Sequence, residues 1–386
     1  MTLEAALLAR VDNLLPAIAA RASNADAQGA VADETIGELV DAGVFATLAP
    51  RIYGGTELSL HVFSSIVQKI SAVSPSTGWV CAFLMGAAWR MLVFSEEAQR
   101  EMYGGKNYLL GAGAAQPITG VEKVEGGYRL TGRTSWNSGA SHAKWFSING
   151  ILKQESGPPD VMIFAVPRSQ VTILDTWHIL GMKGTASRDL EVNQVFVPNH
   201  RAARFLPALA GDSPGHAIHS NPMYHIPFIP FAMNEVLPVL VGTHRGAVQA
   251  YEARVRSRMG TFSGAKASDR VPMQIRLAHG LARAAMAEQM LDALVSQNMD
   301  ARSDSKTPSS RAGIKLHASL VSTFCLDSVN ELARGAGGDS FRDEADFQRY
   351  FRDINTVARH AFLDPETAGE TFGKMMLNLP VADPLI

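Results

Sequence analysis

The sequence predicts an α+β protein in three segregated parts. These are an N-terminal helical domain over residues 1–106, a central β-barrel or sandwich domain over 107–201, and a C-terminal helical bundle over 202–386 that opens with a substrate loop. Three observations predict this. Apolar residues recur at three- and four-residue spacing as far as Tyr103. From Asn107 the pattern becomes short alternating runs punctuated by Gly, Pro and Asp. From Phe231 the helical period returns in long stretches. Helices, then strands, then helices fits segregated layers rather than a wound βαβ sheet.

In the first part, Leu7, Leu8, Val11, Leu14, Leu15 and Ile18 form one apolar stripe of a helix. A second helix is expected over 33–45, closing near Gly43, and the cluster 49–55 breaks the chain with Pro50, Gly54 and Gly55. Residues 60–71, 76–94 and 96–103 follow as helices; the middle one is strongly apolar and carries Trp79, Phe83 and Trp89.

Strands are expected at 108–115, 128–136, 145–152, 161–167, 171–174 and 190–198. Residues 156–160, rich in Gly and Pro, read as a loop tip. Residues 202–221 read as a polar loop holding His216 and His219, with His225 just beyond. Three close histidines invite a metal, but no carboxylates stand at ligand spacing and a closed site takes about four ligands. A substrate-lining or interface loop is expected instead, and no metal. Helices then run over 231–259, 272–301, 311–334, 344–359 and 364–377, with a polar linker at 302–310.

Bulk composition narrows the function. The chain has 386 residues, 46% hydrophobic and 19% charged, with net charge −2. That is ordinary globular composition without the basic footprint of a nucleic-acid binder. No unbroken apolar run approaches the ~18 residues of a membrane span. The N-terminus carries Glu4 and Asp12 and lacks the basic start of a signal peptide, so a cytoplasmic protein is expected. Cys81 and Cys325 sit in apolar segments and read as buried free thiols.

Familiar nucleotide and hydrolase motifs are absent. There is no GxxxxGK[ST] and no HExxH. The run Gly111-Ala112-Gly113-Ala114-Ala115-Gln116 is a broken dinucleotide fingerprint without βαβ context. The run Gly139-Ala140-Ser141-His142-Ala143 lacks the closing Gly of a nucleophile elbow. Any redox chemistry must draw its reducing power from elsewhere.

Chemistry-bearing residues concentrate in 127–147. Trp136, Asn137, Ser138, Ser141, His142 and Trp145 lie within ten positions. A large indole beside small hydroxyl and amide groups suits a flat polar ligand: the ring supplies a face and the small groups supply hydrogen bonds.

Four stretches carry a resemblance to the acyl-CoA dehydrogenase fold, in order and across nearly the whole chain. They are LTGRTSWNSGASHAKWF from Leu130, GMKGTASRDLEVNQVFVP from Gly181, RSRMG from Arg256, and the Gly337-Gly338 turn followed by Arg352-Asp353. Dehydrogenases of this fold carry a Tyr-Glu-Gly-Thr segment after the Arg-Asp pair. Here the chain reads Val357-Ala358-Arg359-His360-Ala361, with no Glu. That tail resembles the oxygenase component of two-component flavin-dependent monooxygenases, such as p-hydroxyphenylacetate hydroxylases and indole oxygenases.

The resemblance implies reduced FMN or FAD as diffusible cofactor and molecular oxygen as co-substrate. It also implies a transient NAD(P)H-dependent flavin reductase as partner, a homotetramer, and hydroxylation or epoxidation of an aromatic substrate through a flavin C4a-hydroperoxide. His360 and Ser138 would be catalytic. His360 would stand beside flavin C4a, where an imidazole can shuttle a proton. Trp136, Asn137, Ser138, Thr185 and Ser187 would line the flavin, with backbone amides of Gly111, Ala112 and Gly113 at its pyrimidine edge. Arg256, or failing that Arg258, would meet the phosphate, near Gly337 and Gly338. Trp79, Phe83, His225, Phe228, Phe231 and Met233 are candidates for the substrate wall, and an indole- or phenol-like substrate is expected. Two other readings stand: an acyl-CoA dehydrogenase with Glu235 as base, and a non-catalytic helical scaffold.

Overall fold

A computed structural model describes residues 2–154, 156–259, 264–299, 307–383 and 385–386. Gly260, Ala301 and much of the expected linker after it lie outside the described residues. The N-terminal helices are α1 (Leu3–Gln28), α2 (Asp33–Asp41), α3 (Leu60–Val73), α4 (Pro75–Arg90) and α5 (Glu96–Tyr103). Local chemistry sets their ends. The Thr2 hydroxyl accepts from Ala5 N at the start of α1, and Gly29 closes it at φ 64°. Ser95 caps α5 in the same way.

Helix α4 is buried along almost its whole length, with Val80, Cys81, Leu84, Met85 and Trp89 in the core between α3 and α7 (Phe228–Ser257). Residues 75–93 are apolar and long enough to cross a membrane by length and composition, which the sequence reading did not anticipate; 89% of that window is buried inside the protein. Apolar positions on all sides of a helix mark burial, and here neighbouring helices supply the cover.

The central strands are β1 (Gly111–Val124), β2 (Gly127–Asn137), β3 (Trp145–Leu152), β4 (Asp160–Pro167), β5 (Thr172–Leu174), β6 (Arg188–Pro198) and β7 (Ala202–Arg204). They form one seven-stranded mixed sheet in the order β5-β6-β2-β1-β3-β4-β7, whose edge strands β5 and β7 do not pair. The sheet curls over a core of its own, so that Tyr128 of β2 meets Phe164 of β4 at 5.1 Å across the layer, in keeping with the expected β domain. Strand β1 pairs parallel with β3 at Gly111–Ala114 and antiparallel with β2 at Gly120–Val124. The register shifts between Ala114 and Ile118 surround Pro117, which has no N–H for the ladder. Strand β7 pairs only three residues with β4, too short a run to leave an alternating pattern.

A short helix α6 (Phe205–Leu209) leads to α7, α8 (Val271–Met299), α9 (Pro308–Ala336), α10 (Asp346–Val357) and α11 (Pro365–Met376). Helix α7 starts three residues before the expected Phe231. Pro227 precedes it and Pro230 sits in its first turn, where no intrahelical N–H bond is lost. Cys81 and Cys325 are both buried free thiols, pushed up in pKa by burial.

Candidate active site

A cavity of about 700 Å³ opens where α4, α7, the central sheet and the end of α10 meet. One wall is a chain of small hydroxyls. Trp79 Nε1 donates to Ser138 Oγ at 2.8 Å, Ser138 Oγ lies 2.8 Å from Ser187 Oγ, and Ser187 Oγ lies 2.8 Å from Thr185 Oγ1. Thr185 Oγ1 donates to Met182 O at 2.9 Å, which ends the chain.

The loop that presents Thr185 and Ser187 is held from behind. Met182 and Ala186 take left-handed backbone at φ 57° and 45°. Met182 N donates to the buried Asp353 Oδ1 at 2.5 Å, and Trp177 Nε1 donates to Met182 O at 3.1 Å. Burial pushes the Asp353 carboxyl up to about 7, against the bond from Met182 N.

Trp136 stands at the rim of the same cavity, 62% exposed and at φ 72°. A bulky residue at positive φ is uncommon and needs support. It falls in the register shift between Thr134 and Asn137 of the β2–β6 ladder. Asn137 braces that shift: its Nδ2 donates to Thr134 O and Arg188 O at 3.2 and 3.3 Å. The Trp136 ring meets Trp177 edge-on at 5.2 Å.

His360 faces this wall from the C-terminal side. Phe362 N donates to its Nδ1 at 3.3 Å, so the ring caps the short turn Ala361–Leu363. An accepting Nδ1 leaves the proton of the neutral ring on Nε2. Burial among apolar groups holds the imidazole down at about 4, so it is neutral near pH 7. Its ring contacts Trp79 edge-on at 5.6 Å and Phe362 at 5.1 Å.

At the inner end Glu235 of α7 pairs with Arg90, the last residue of α4. Arg90 Nη2 also donates to Phe83 O at 2.6 Å, and the guanidinium lies 5.4 Å from the Phe83 ring centroid. Burial pushes the Glu235 carboxyl up to about 7 even with Arg90 beside it. Phe83 stacks obliquely on Trp79 at 4.7 Å.

The structure brings most of the sequence candidates together and leaves others apart. Ser138, Trp136, Thr185, Ser187, His360, Gly113, Trp79, Phe83 and Phe228 line the cavity. Gly111 and Ala112 are buried behind it, Gly111 tight against Met91 and Ala87 of the α4 side. Asn137 serves the backbone and does not line the cavity. Phe231 stacks on the far side of Trp89 at 3.9 Å, and Met233 is fully buried in the core. His225 Nε2 contacts His219 O at 2.7 Å, outside the cavity. The other two loop histidines are also engaged: His216 Nδ1 with Ser213 Oγ at 2.8 Å and His219 Nε2 with Gln99 Oε1 at 2.8 Å.

Arg256 is exposed and pairs with Glu252 one turn earlier, away from the cavity of its own chain. Arg258 Nη1 donates to Gly335 O and Ala336 O at 3.3 and 3.4 Å. Gly337, at φ 80°, leaves room for that guanidinium, which a Cβ there would strike. Gly337 and Gly338 also lie off the cavity.

Sequence reasoning missed Arg90, Trp177, Asn149 and Phe362, which all line the cavity. Only Arg90 had a signal. A charge ending a helix that is otherwise apolar needs a partner when buried.

Comparisons with known proteins agree with this architecture. Residues 6–106 match the acyl-CoA dehydrogenase N-terminal domain and residues 236–365 the acyl-CoA dehydrogenase C-terminal domain. A "Pigment production hydroxylase" from a Rhodococcus species is 50% identical over 380 residues, covering 98% of both chains. The oxygenase subunit HsaA of a flavin-dependent monooxygenase from Mycobacterium tuberculosis is 30% identical over 383 residues, covering 98% of this chain and 97% of that one. The crystal structure of 3-HSA hydroxylase from Rhodococcus sp. RHA1 superposes with a TM-score of 0.90 at 26% identity, covering 99% of each chain. The dehydrogenase and scaffold readings thereby give way: this chain belongs to the oxygenase components of the flavin-dependent monooxygenases, built on the acyl-CoA dehydrogenase fold.

Proposed function

We propose that the chain hydroxylates a flat, largely apolar aromatic compound, phenol- or indole-like, with reduced flavin delivered by a separate reductase. One observation carries this reading: Ser138 and His360 line one cavity and both contact Trp79, by a 2.8 Å hydrogen bond and a 5.6 Å edge contact.

The residues fit a flavin. The cavity of about 700 Å³ is mostly apolar, and its polar groups sit chiefly along one side as small hydroxyls beside an exposed indole. A flat ring with a polar edge needs that combination. Trp136, Ser138, Thr185 and Ser187 would hold it, with Gly113 allowing close backbone approach. Bound there, reduced flavin would supply the reducing power and oxygen activation that place one oxygen atom on the substrate.

The chain's own residues do the rest. The His360 Nε2–H would donate a hydrogen bond toward the oxygen to be transferred, with Nδ1 held as acceptor by Phe362 N. A pKa of about 4 keeps this ring a neutral donor across the working range. The Ser138 hydroxyl, already paired with Trp79 and Ser187, passes hydrogen-bond polarity along the wall without a charge. Trp79, Phe83 and Phe228 stack the substrate and exclude water.

Arg256, Gly337 and Gly338 act from a neighbouring copy in a homotetramer, because none reaches the cavity of its own chain. There Arg256 meets the flavin phosphate. The test is oxygen uptake and product analysis with reduced flavin and phenolic or indolic substrates. Oxygenated product that requires both the chain and the reductase supports the reading. Peroxide alone, with every aromatic tried, refutes it.

A further inference from the structure

The inner end of the cavity holds two charges that the proposed oxygen chemistry does not use. Trp79, Phe83 and Arg90 all belong to α4. The Arg90 side chain runs back toward the helix N-terminus, so its guanidinium lies level with Phe83, bonded to Phe83 O at 2.6 Å. Phe83 is one turn from Trp79, about 6 Å along the axis. The aromatic floor from Trp79, where His360 stands, to the guanidinium thus spans a single ring or a fused bicycle.

The pair is built rather than incidental. Gly86 leaves the space the pair fills: a Cβ there would meet Glu235 Oε1 and Arg90 Nη1 and displace the two side chains from each other. Glu235 Oε1 takes the Arg90 bond, while Oε2 has no hydrogen-bond partner among the described residues, and the buried side chain lines the cavity. Arg90 spends Nη1 and Nη2 on one bond each, which leaves donors free. The cavity wall therefore presents an acceptor beside free donors, side by side on one ion pair.

Resting on the proposed function, we infer that Arg90 and Glu235 form the specificity-determining subsite for the substrate. A ring hydroxyl at the edge remote from His360 donates to Glu235 Oε2 and accepts from an Arg90 N–H. A hydroxyl is both donor and acceptor and satisfies the two groups at once. A bare hydrocarbon satisfies neither. A carboxylate pairs with Arg90 but faces the Glu235 charge at close range.

The test is calorimetric binding of 2-naphthol, naphthalene and 2-naphthoate to the full chain, without turnover. Wild type binds 2-naphthol about tenfold tighter than either analogue, the scale of a hydrogen bond to a charged group. Removing one member of a buried pair risks misfolding. The key variant is therefore the apolar double replacement Arg90→Met with Glu235→Leu, checked by its melting temperature. It binds 2-naphthol and naphthalene within about twofold of each other, and Glu235→Gln relieves the discrimination against 2-naphthoate. A 2-naphthol preference that survives the double replacement, or none in wild type, overturns the inference. Because no flavin enters this measurement, its outcome is separate from that of the proposed function, which fails if no aromatic is oxygenated under reduced flavin.

Discussion

Trp79 Nε1 donates to Ser138 Oγ across 2.8 Å, and this bond ties the helical core to the strand-borne hydroxyl wall. Trp79 and Ser138 are both largely buried, and Ser138 keeps a second partner in Ser187. Replacing Trp79 by Phe keeps the ring and removes the donor. The expected result is a loss of about 1 kcal/mol in stability and a shift of oxygen use from product toward peroxide. Urea unfolding and the ratio of product to peroxide measure the two effects. A Trp79→Phe protein with unchanged coupling would remove the bond from the account.

Asp353 is a positioning residue for the loop that carries Thr185 and Ser187. Its Oδ1 accepts from Met182 N at 2.5 Å, and that amide has no other partner among the described residues. Asp353→Ala leaves a buried N–H unpaired, at a cost on the order of 1–3 kcal/mol. Flavin affinity should fall with it, and Asp353→Asn, which keeps an acceptor, should recover most of both. Fluorescence titration with flavin reads the affinity. Equal flavin affinity in the Ala variant would detach the loop from the flavin wall.

Arg256 provides a test of assembly. The residue is exposed and, among the described residues, bonded only to Glu252, so Arg256→Ala should change chain stability by less than about 0.5 kcal/mol. In the proposed homotetramer the same substitution should weaken flavin binding by about tenfold, the value of a charge-assisted phosphate contact. Sedimentation and flavin titration, run on the same preparations, separate the two. Wild-type affinity in tetrameric Arg256→Ala would take the phosphate away from this residue.

Buried titratable groups give stability a pH dependence of two signs. Burial holds His216, His244 and His360 down at about 4. Unfolded, they take up protons near 6.5, so their share of stability is lost as pH falls from about 6.5 toward 4. Burial raises Glu235 and Asp353 to about 7. Unfolded carboxyls ionise near 4, so their share is present at low pH and lost as pH rises through about 7. Unfolding free energies across this range should slope less on the acid side in His244→Gln and less toward neutrality in Glu235→Gln. Slopes identical to wild type would show that these groups do not titrate as described.

Much of this fold was legible because period follows burial. The Leu7–Ile18 stripe marks α1, and alternation marks β3 with its expected ends at Trp145 and Leu152. The strand order β5-β6-β2-β1-β3-β4-β7 was not legible, since the crossing from β1 to β3 is set by tertiary pairing that no residue pattern records. At the site, motif resemblance found the hydroxyls and His360, because each sits inside a stretch that resembles the family although the stretches lie far apart in the chain. It could not tell a residue lining the cavity from one bracing the backbone one position away, as with Ser138 and Asn137. It also missed the Arg90–Glu235 pair, whose members are 145 positions apart and meet only when α4 packs on α7.

The most direct test of the central claim compares wild type with His360→Ala under reduced flavin, oxygen and an aromatic substrate, counting oxygen consumed, product formed and hydrogen peroxide released. The account predicts that the variant binds flavin as wild type does yet diverts most of its oxygen to peroxide. A His360→Ala enzyme that forms product as efficiently as wild type would contradict it.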